Sequence, residues 1–368
     1  MPYHELLTAQ TAELVGAQPA EVVVMNSLTV NLHLMLVSFY RPTRERHRIV
    51  IEANAFPSDQ YAVESQIRFH GLDPAASLVE LHPRDGEITL RTEDILDSLR
   101  REGSSVAVVM LGGVNYYTGQ AFDMEAITRA GHSAGSIVGF DLAHAAGNLV
   151  LSLHKWDVDF AVWCSYKYLN AGPGSTAGCF VHERHAGRND LPRFAGWWGQ
   201  NKQNRFLMGP DFDPIPGAEG WQVSNPAILP MAALRASMDV FAQAGMPALR
   251  TKSEKLTGYL ESLLLTNPSL EIITPRDPNQ RGAQLSIRVR QNARNVFTTL
   301  NEQGFICDWR EPDVIRVAPV PLYNSYTDVY EFARTINQKT ETGQRRKEAG
   351  GRNPGADSEG RSHGSQKI

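Results

Sequence analysis

Between Val106 and Leu111 the chain reads Val-Ala-Val-Val-Met-Leu, and between Ile137 and Phe140 it reads Ile-Val-Gly-Phe. Neither run alternates apolar with polar residues, so neither strand can keep one face in water. Similar short runs occur at Val22–Met25, Ile49–Glu52 and Leu78–Leu81, and helix-like segments separate them. The clearest of these is Thr92–Arg100, where Ile95, Leu96 and Leu99 share a face and Thr92 is placed to cap the first turn. Wholly apolar strands alternating with helices predict an α/β fold, a mainly parallel sheet flanked by helices on both faces. Such sheets carry their ligands at the carboxyl ends of the strands.

The texture changes after Pro226. Two long helical patterns, Pro230–Ala244 and Ala248–Leu265, lead into half-exposed strands at Leu285–Val289 and Val314–Val317. The expected division is a large domain over 1–225, a smaller α+β C-terminal domain over 226–337, and a disordered tail over 338–368, which has too few apolar residues to offset the entropy of ordering.

A formal net charge of -4 gives no attraction to nucleic acid or to an anionic membrane surface. The apolar stretch from Leu28 to Tyr40 is interrupted by Asn31, His33 and Ser38 and falls short of the roughly 20 residues that span a bilayer. The opening MPYHELLTAQ has no basic segment before an apolar one, so a cytoplasmic location is expected. Three cysteines, Cys164, Cys179 and Cys307, form no CxxC pair and predict neither a disulfide framework nor a metal site.

Two segments carry candidate chemistry. In Gly139-Phe140-Asp141-Leu142-Ala143-His144 an acid ends a buried strand, with a histidine three residues on. A helix N-cap aspartate accounts for Asp141 equally well when it is taken alone. In Ser165-Tyr166-Lys167-Tyr168 a lysine flanked by tyrosines follows the apolar run Phe160–Cys164 and precedes a Gly-rich turn. A solvated loop lysine is the ordinary alternative. Pyridoxal-phosphate (PLP) chemistry needs both groups, a lysine to form an imine and an acid to keep the pyridine nitrogen protonated. Ser27-Leu28-Thr29 opens a helix after a strand, where free N–H groups and a hydroxyl suit a phosphate, or where a plain cap would stand. Phe56-Pro57-Ser58-Asp59 follows another strand end and places Phe56 to stack on an aromatic ligand.

The strings MNSLTVNLHL, AFPSDQYAVESQ, GFDLAHAAGN, CSYKYLNAGPG, SNPAILP and IRVAPVPLYNS resemble those of kynureninase, a family of fold type I PLP hydrolases, and the resemblance runs from Glu13 to Asn337. It implies that Lys167 carries the cofactor, that Asp141 pairs with its ring nitrogen, and that His144 lies beside the ring. It further implies phosphate contacts at Leu28 and Thr29, stacking by Phe56, and cofactor contacts through Pro57, Ser58, Asp59 and Gly112. Tyr166, Trp197 and Asn225 match residues that hold the cofactor, some of them across a homodimer interface. Asn225 also falls at the substrate, and Arg316 resembles the arginine that grips its α-carboxylate. At Gly112 some members have serine, so one hydroxyl contact is absent here.

The implied reaction is hydrolysis of L-kynurenine or 3-hydroxykynurenine to anthranilate or 3-hydroxyanthranilate and L-alanine, in tryptophan catabolism and NAD biosynthesis. Lys167, Asp141 and Tyr166 are the expected catalytic residues. The family pattern also extends upstream of Met1, with a GNSLG-like segment near the substrate pocket, so this chain is expected to bind PLP yet turn over kynurenine poorly. A cysteine desulfurase or aminotransferase activity, and a silent kynureninase-like subunit, remain as alternatives.

Overall fold

The structure, a computed structural model, describes residues 3–188 and 190–350, with side chains described as far as Thr340. Its helices are α1 (Thr8–Val15), α2 (Leu28–Phe39), α3 (Pro57–Phe69), α4 (Pro74–Ser77), α5 (Thr92–Glu102), α6 (Met124–Ser133), α7 (Ile228–Ala244), α8 (Met246–Leu264), α9 (Ala293–Glu302) and α10 (Tyr326–Gly350). Its strands are β1 (Val22–Val24), β2 (Arg48–Glu52), β3 (Leu78–Leu81), β4 (Val106–Gly112), β5 (Ile137–Asp141), β6 (Phe160–Trp163), β7 (Gly178–Val181), β8 (Leu270–Ile272), β9 (Leu285–Val289), β10 (Asp308–Arg310) and β11 (Val314–Val317).

Seven strands form one sheet in the order β1-β7-β6-β5-β4-β2-β3. The pairs from β6 through β5, β4 and β2 to β3 are parallel, and β7 runs antiparallel to both its neighbours. Successive residues of the central strands enter opposite cores, as a two-faced sheet requires. Val109 and Leu111 of β4 join Val138 and Phe140 of β5 on the face covered by α1, α5, α6 and α7. Val108 and Met110 join Ile49 and Ile51 of β2 on the face covered by α2 and α3. The continuous apolar runs have this cause: both sides of each strand are buried.

β7, β8 and β10, each only three or four residues long, are not among the expected strands, although β7 (Gly178–Val181) is as apolar and buried as β6. Thr92 is the first helical residue of α5 rather than its cap; Arg91 holds the cap position and makes no side-chain capping bond.

The second sheet is antiparallel, in the order β10-β11-β9-β8. It shares a core with Leu256, Leu260 and Leu264 of α8 and with Val329, Phe332 and Ile336 of α10. Helix α7 instead buries Met231, Leu234, Met238 and Phe241 against the large sheet. The helical pattern of α7 alone cannot say which sheet it covers. Helix α10 also runs past residue 338, where composition predicts a disordered tail. Asn267 donates from Nδ2 to Asn337 Oδ1 at 2.9 Å and to Thr340 Oγ1 at 2.8 Å, anchoring that turn by polar rather than apolar contacts. Residues 351–368 lie outside the described residues.

Immediately before β6, Asp159 is buried. It accepts from the Val138 N–H at 2.7 Å and from Nε2 of His132 and of His185, each at 2.8 Å, and pairs with Arg184. Burial alone would raise its pKa, but these donors and the guanidinium hold it well below the usual carboxylate range. A carboxyl depressed on folding stabilises the protein above its unfolded pKa, near 4, and loses that contribution as pH falls. Asp159→Ala is expected to lower stability by about 3–5 kcal/mol at pH 7, a difference that shrinks below about pH 4 when both proteins are melted there.

Candidate active site

Helices α2 and α3 both start at the carboxyl edge of the large sheet, and their first turns meet. Thr29 Oγ1 and Ser58 Oγ lie 2.9 Å apart. Ser27, the cap residue of α2, makes no side-chain capping bond. These hydroxyls therefore serve the space between two helix amino termini, a ready anion site. Pro57 opens α3 at a position where the missing N–H costs nothing, and it does not line the cavity.

Strands β2, β4 and β5 end at Glu52, Gly112 and Asp141, and all three residues border the same cavity. Leu28, Thr29, Ser58 and Asp59, from the first turns of α2 and α3, also line it, as do Phe56, His144, Tyr166 and Lys167. Lys167 Nζ lies 5.5 Å from the Phe56 ring centroid and 5.9 Å from that of Tyr166. Phe56 meets Tyr116 edge to face at 5.3 Å.

Asp141 is buried and accepts the Ala143 N–H at 2.6 Å. No helix follows it, so the N-cap reading does not hold. Burial raises its pKa, opposed by the Ala143 N–H, the Lys167 charge and the neighbouring Asp59. Asp59 is pushed well above its ordinary value, first by burial and then by the charges of Asp141 and Glu52. His144 is held well below its ordinary value by burial and by the cations Lys167, Arg316 and Arg310, so its imidazole is neutral. Its position depends on Asn148, which donates to the His144 carbonyl at 2.8 Å and accepts the Ala283 N–H at 2.8 Å. A Cβ on Gly282 would lie 2.1 Å from Asn148 Nδ2, which is why that close approach needs glycine.

Arg316 reaches this region from β11. Its guanidinium donates to the Tyr116 carbonyl and to the Asp308 carboxylate. The carbonyls of Tyr116 and Tyr117 also accept from Gln284 Nε2 at 3.1 and 3.3 Å, which ties the small sheet to the rim of the cavity. Trp197 and Asn225 do not line the cavity within this chain, and both are exposed. Trp197 instead donates from Nε1 to the Arg205 carbonyl at 3.2 Å.

Sequence reasoning misses Glu52, Tyr116 and Asn148. Glu52 has a signal, since an acid closing a buried strand is the argument that selects Asp141. The other two have none.

The cavity suits PLP: a lysine amine, an enclosed acid, an aromatic face, and two helix starts for a phosphate. His144 Nδ1 and Asp59 Oδ1 are buried without a hydrogen-bond partner among the described residues, as groups that await a polar ligand would be. An apo cysteine desulfurase from Thermococcus onnurineus superposes with a TM-score of 0.77 over 92% of this chain and 84% of that one, at 17% identity. Fold and site together define a fold type I PLP-dependent enzyme. A family model described as the kynureninase C-terminal domain matches residues 249–336. The chain is 68% identical to a kynureninase of Koribacter versatilis and 65% identical to one of Myxococcus xanthus, in each case over 91% of this chain and 79% of the relative. The chain belongs to the kynureninase family.

Proposed function

We propose that this protein hydrolyses the Cβ–Cγ bond of L-kynurenine or 3-hydroxykynurenine, consuming one water and releasing L-alanine and the matching anthranilate, a step of tryptophan catabolism. The observation that carries the reading is the convergence of Lys167, Asp141, Phe56 and the Thr29–Ser58 pair on one cavity in a chain of this family. PLP supplies an electron sink for the carbon skeleton when it is bound there.

The chain's own residues do the rest. Lys167 takes the proton from the substrate Cα and returns one. Asp141 holds a proton on the ring nitrogen, Phe56 stacks on the ring, Leu28 and Thr29, with Ser58 beside them, hold the phosphate end, and Asp59 makes a further cofactor contact. Burial lifts the Tyr166 phenol to about 12, so it keeps its proton at neutral pH and suits a donor role. Borohydride treatment of the yellow holoenzyme, followed by peptide mass spectrometry, should find the reduced adduct on Lys167. An adduct on another lysine, or no release of alanine and anthranilate, overturns the reading.

Arg316 is the candidate for the α-carboxylate, because the planar fork of arginine matches a carboxylate. Arg316→Lys is expected to raise KM about ten- to a hundredfold while leaving the cofactor spectrum unchanged. An unchanged KM would assign Arg316 to the Asp308 ion pair alone.

A homodimer is part of the proposal. Trp197 and Asn225 are exposed, as are Phe206, Leu207 and Met208 nearby, and apolar surface of this kind is suited to a second copy. Sedimentation of a fully active monomer would remove it. No described helix is long and apolar enough to cross a membrane. The unbridged, buried thiols of Cys164 and Cys179 suit the reducing cytoplasm.

A further inference from the structure

Three neighbouring strands, β2, β4 and β5, deliver Glu52, Gly112 and Asp141 to the cavity. The reaction outlined above uses Asp141 and leaves Glu52 without a task. Glu52 is 5% exposed. Its two carboxyl oxygens share one donor from another residue, the Gly112 N–H, at 3.3 and 3.2 Å. A buried carboxylate with so few donors is costly to keep ionised. Burial lifts its pKa to about 7, and the nearby Asp141 adds to the rise, against the backbone N–H groups of Glu52 and Gly112.

The groups around it come from separate elements. Asp59 stands in the first turn of α3, Asp141 ends β5, and Lys167 follows β6; His144, neutral, lies beyond them. Asp59 and Asp141 are close enough that each shifts the other's protonation. Asp141 has the Ala143 N–H and Lys167 on its side and is the anion of that pair, while Asp59, opposed by two like charges, keeps the proton. Three carboxyls cannot all ionise beside a single lysine in an enclosed space.

We propose that Glu52 is a positioning residue for the cofactor end of the site, a third carboxyl coupled to the Asp59–Asp141 pair whose charge sets how tightly protons are held on the basic atoms beside Asp141. This rests on the reading that the cavity holds PLP. When Glu52 is neutral, the carboxyl group carries one negative charge opposite Lys167. When Glu52 loses its proton a second charge appears, and nearby nitrogens hold their protons more tightly.

The test is a pH titration of the visible spectrum of the holoenzyme, together with the PLP dissociation constant over the same range. Glu52→Gln keeps an oxygen for the Gly112 N–H and removes the titratable group. The midpoint at which the lysine-linked cofactor loses its proton is expected to fall by about one pH unit, a tenfold change in proton affinity. The dependence of PLP affinity on pH near 7 should disappear in the same variant. Glu52→Asp, with its carboxyl drawn back by one methylene, should give an intermediate shift. An unchanged midpoint in Glu52→Gln overturns the proposal and leaves Glu52 as a support for Gly112. If the glutamine variant does not fold, an aspartate variant that titrates like the parent overturns it as well. A parent protein that binds no PLP would instead remove the reading of the cavity.

Discussion

Lys167→Ala is expected to fold normally and to lose at least about a thousandfold in turnover. The two parts of this expectation have separate causes. The Lys167 side chain makes no hydrogen bond or ion pair among the described residues; its Nζ lies 5.5 and 5.9 Å from the ring centroids of Phe56 and Tyr166. Truncation leaves no hydrogen-bond partner unsatisfied, and Asp141, deprived of its counter-charge, takes up a proton instead, so the melting temperature should stay within a few degrees of the parent's. Chemistry has no such reserve, because one amine is asked both to anchor the cofactor and to move the Cα proton. Steady-state assay of anthranilate release measures the first effect and thermal melting the second. Turnover within tenfold of the parent would take Lys167 out of the proposed role.

The second large effect is expected at Asp141. Asp141→Asn should still bind PLP, because the phosphate end and the Phe56 face are untouched, but its turnover should fall roughly a hundred- to a thousandfold. A neutral amide does not hold a ring nitrogen protonated, so the loss belongs to the transition state rather than to binding. Stability should move the other way. The folded protein raises the pKa of Asp141, chiefly by burial, and also that of its partner Asp59. A carboxyl raised on folding costs stability as pH climbs through its unfolded and then its folded pKa. The cofactor-free Asp141→Asn protein is thus expected to melt no lower than the parent at pH 7, and the two should converge below about pH 4. Near-normal turnover would remove Asp141 from the ring nitrogen. A large drop in melting temperature would make the Ala143 N–H bond its main task.

Much of this site is legible in the order of residues along the chain, for a local reason. Asp141 ends a buried strand and Lys167 follows one, and in a parallel α/β sheet the carboxyl ends of strands are where ligands are held. Adjacency in the chain is enough to mark both. The Phe56–Asp59 string and the Leu28–Thr29 pair are visible on the same ground, as helix starts after strands. Glu52 satisfies the same rule yet escapes notice, because a single acid at a strand end also reads as the point where a strand leaves the core.

Other features depend on distance through space. Thr29 and Ser58 are separated by 29 positions and touch only because α2 and α3 lie side by side on one face of the sheet. The packing of α7 on the large sheet, and the anchoring of His144 through Asn148 to Ala283, likewise depend on contacts distant in sequence. The sequence by itself determined most of the element types, the mainly parallel character of the sheet and the strand ends at Asp141 and before Lys167, because these follow from apolar periodicity and short-range residue order. Only the tertiary structure decided that β4 lies between β2 and β5, placing the ends of strands distant in sequence around one cavity. Strand order is chosen by the burial of whole faces, a long-range free energy that no local stretch of residues encodes.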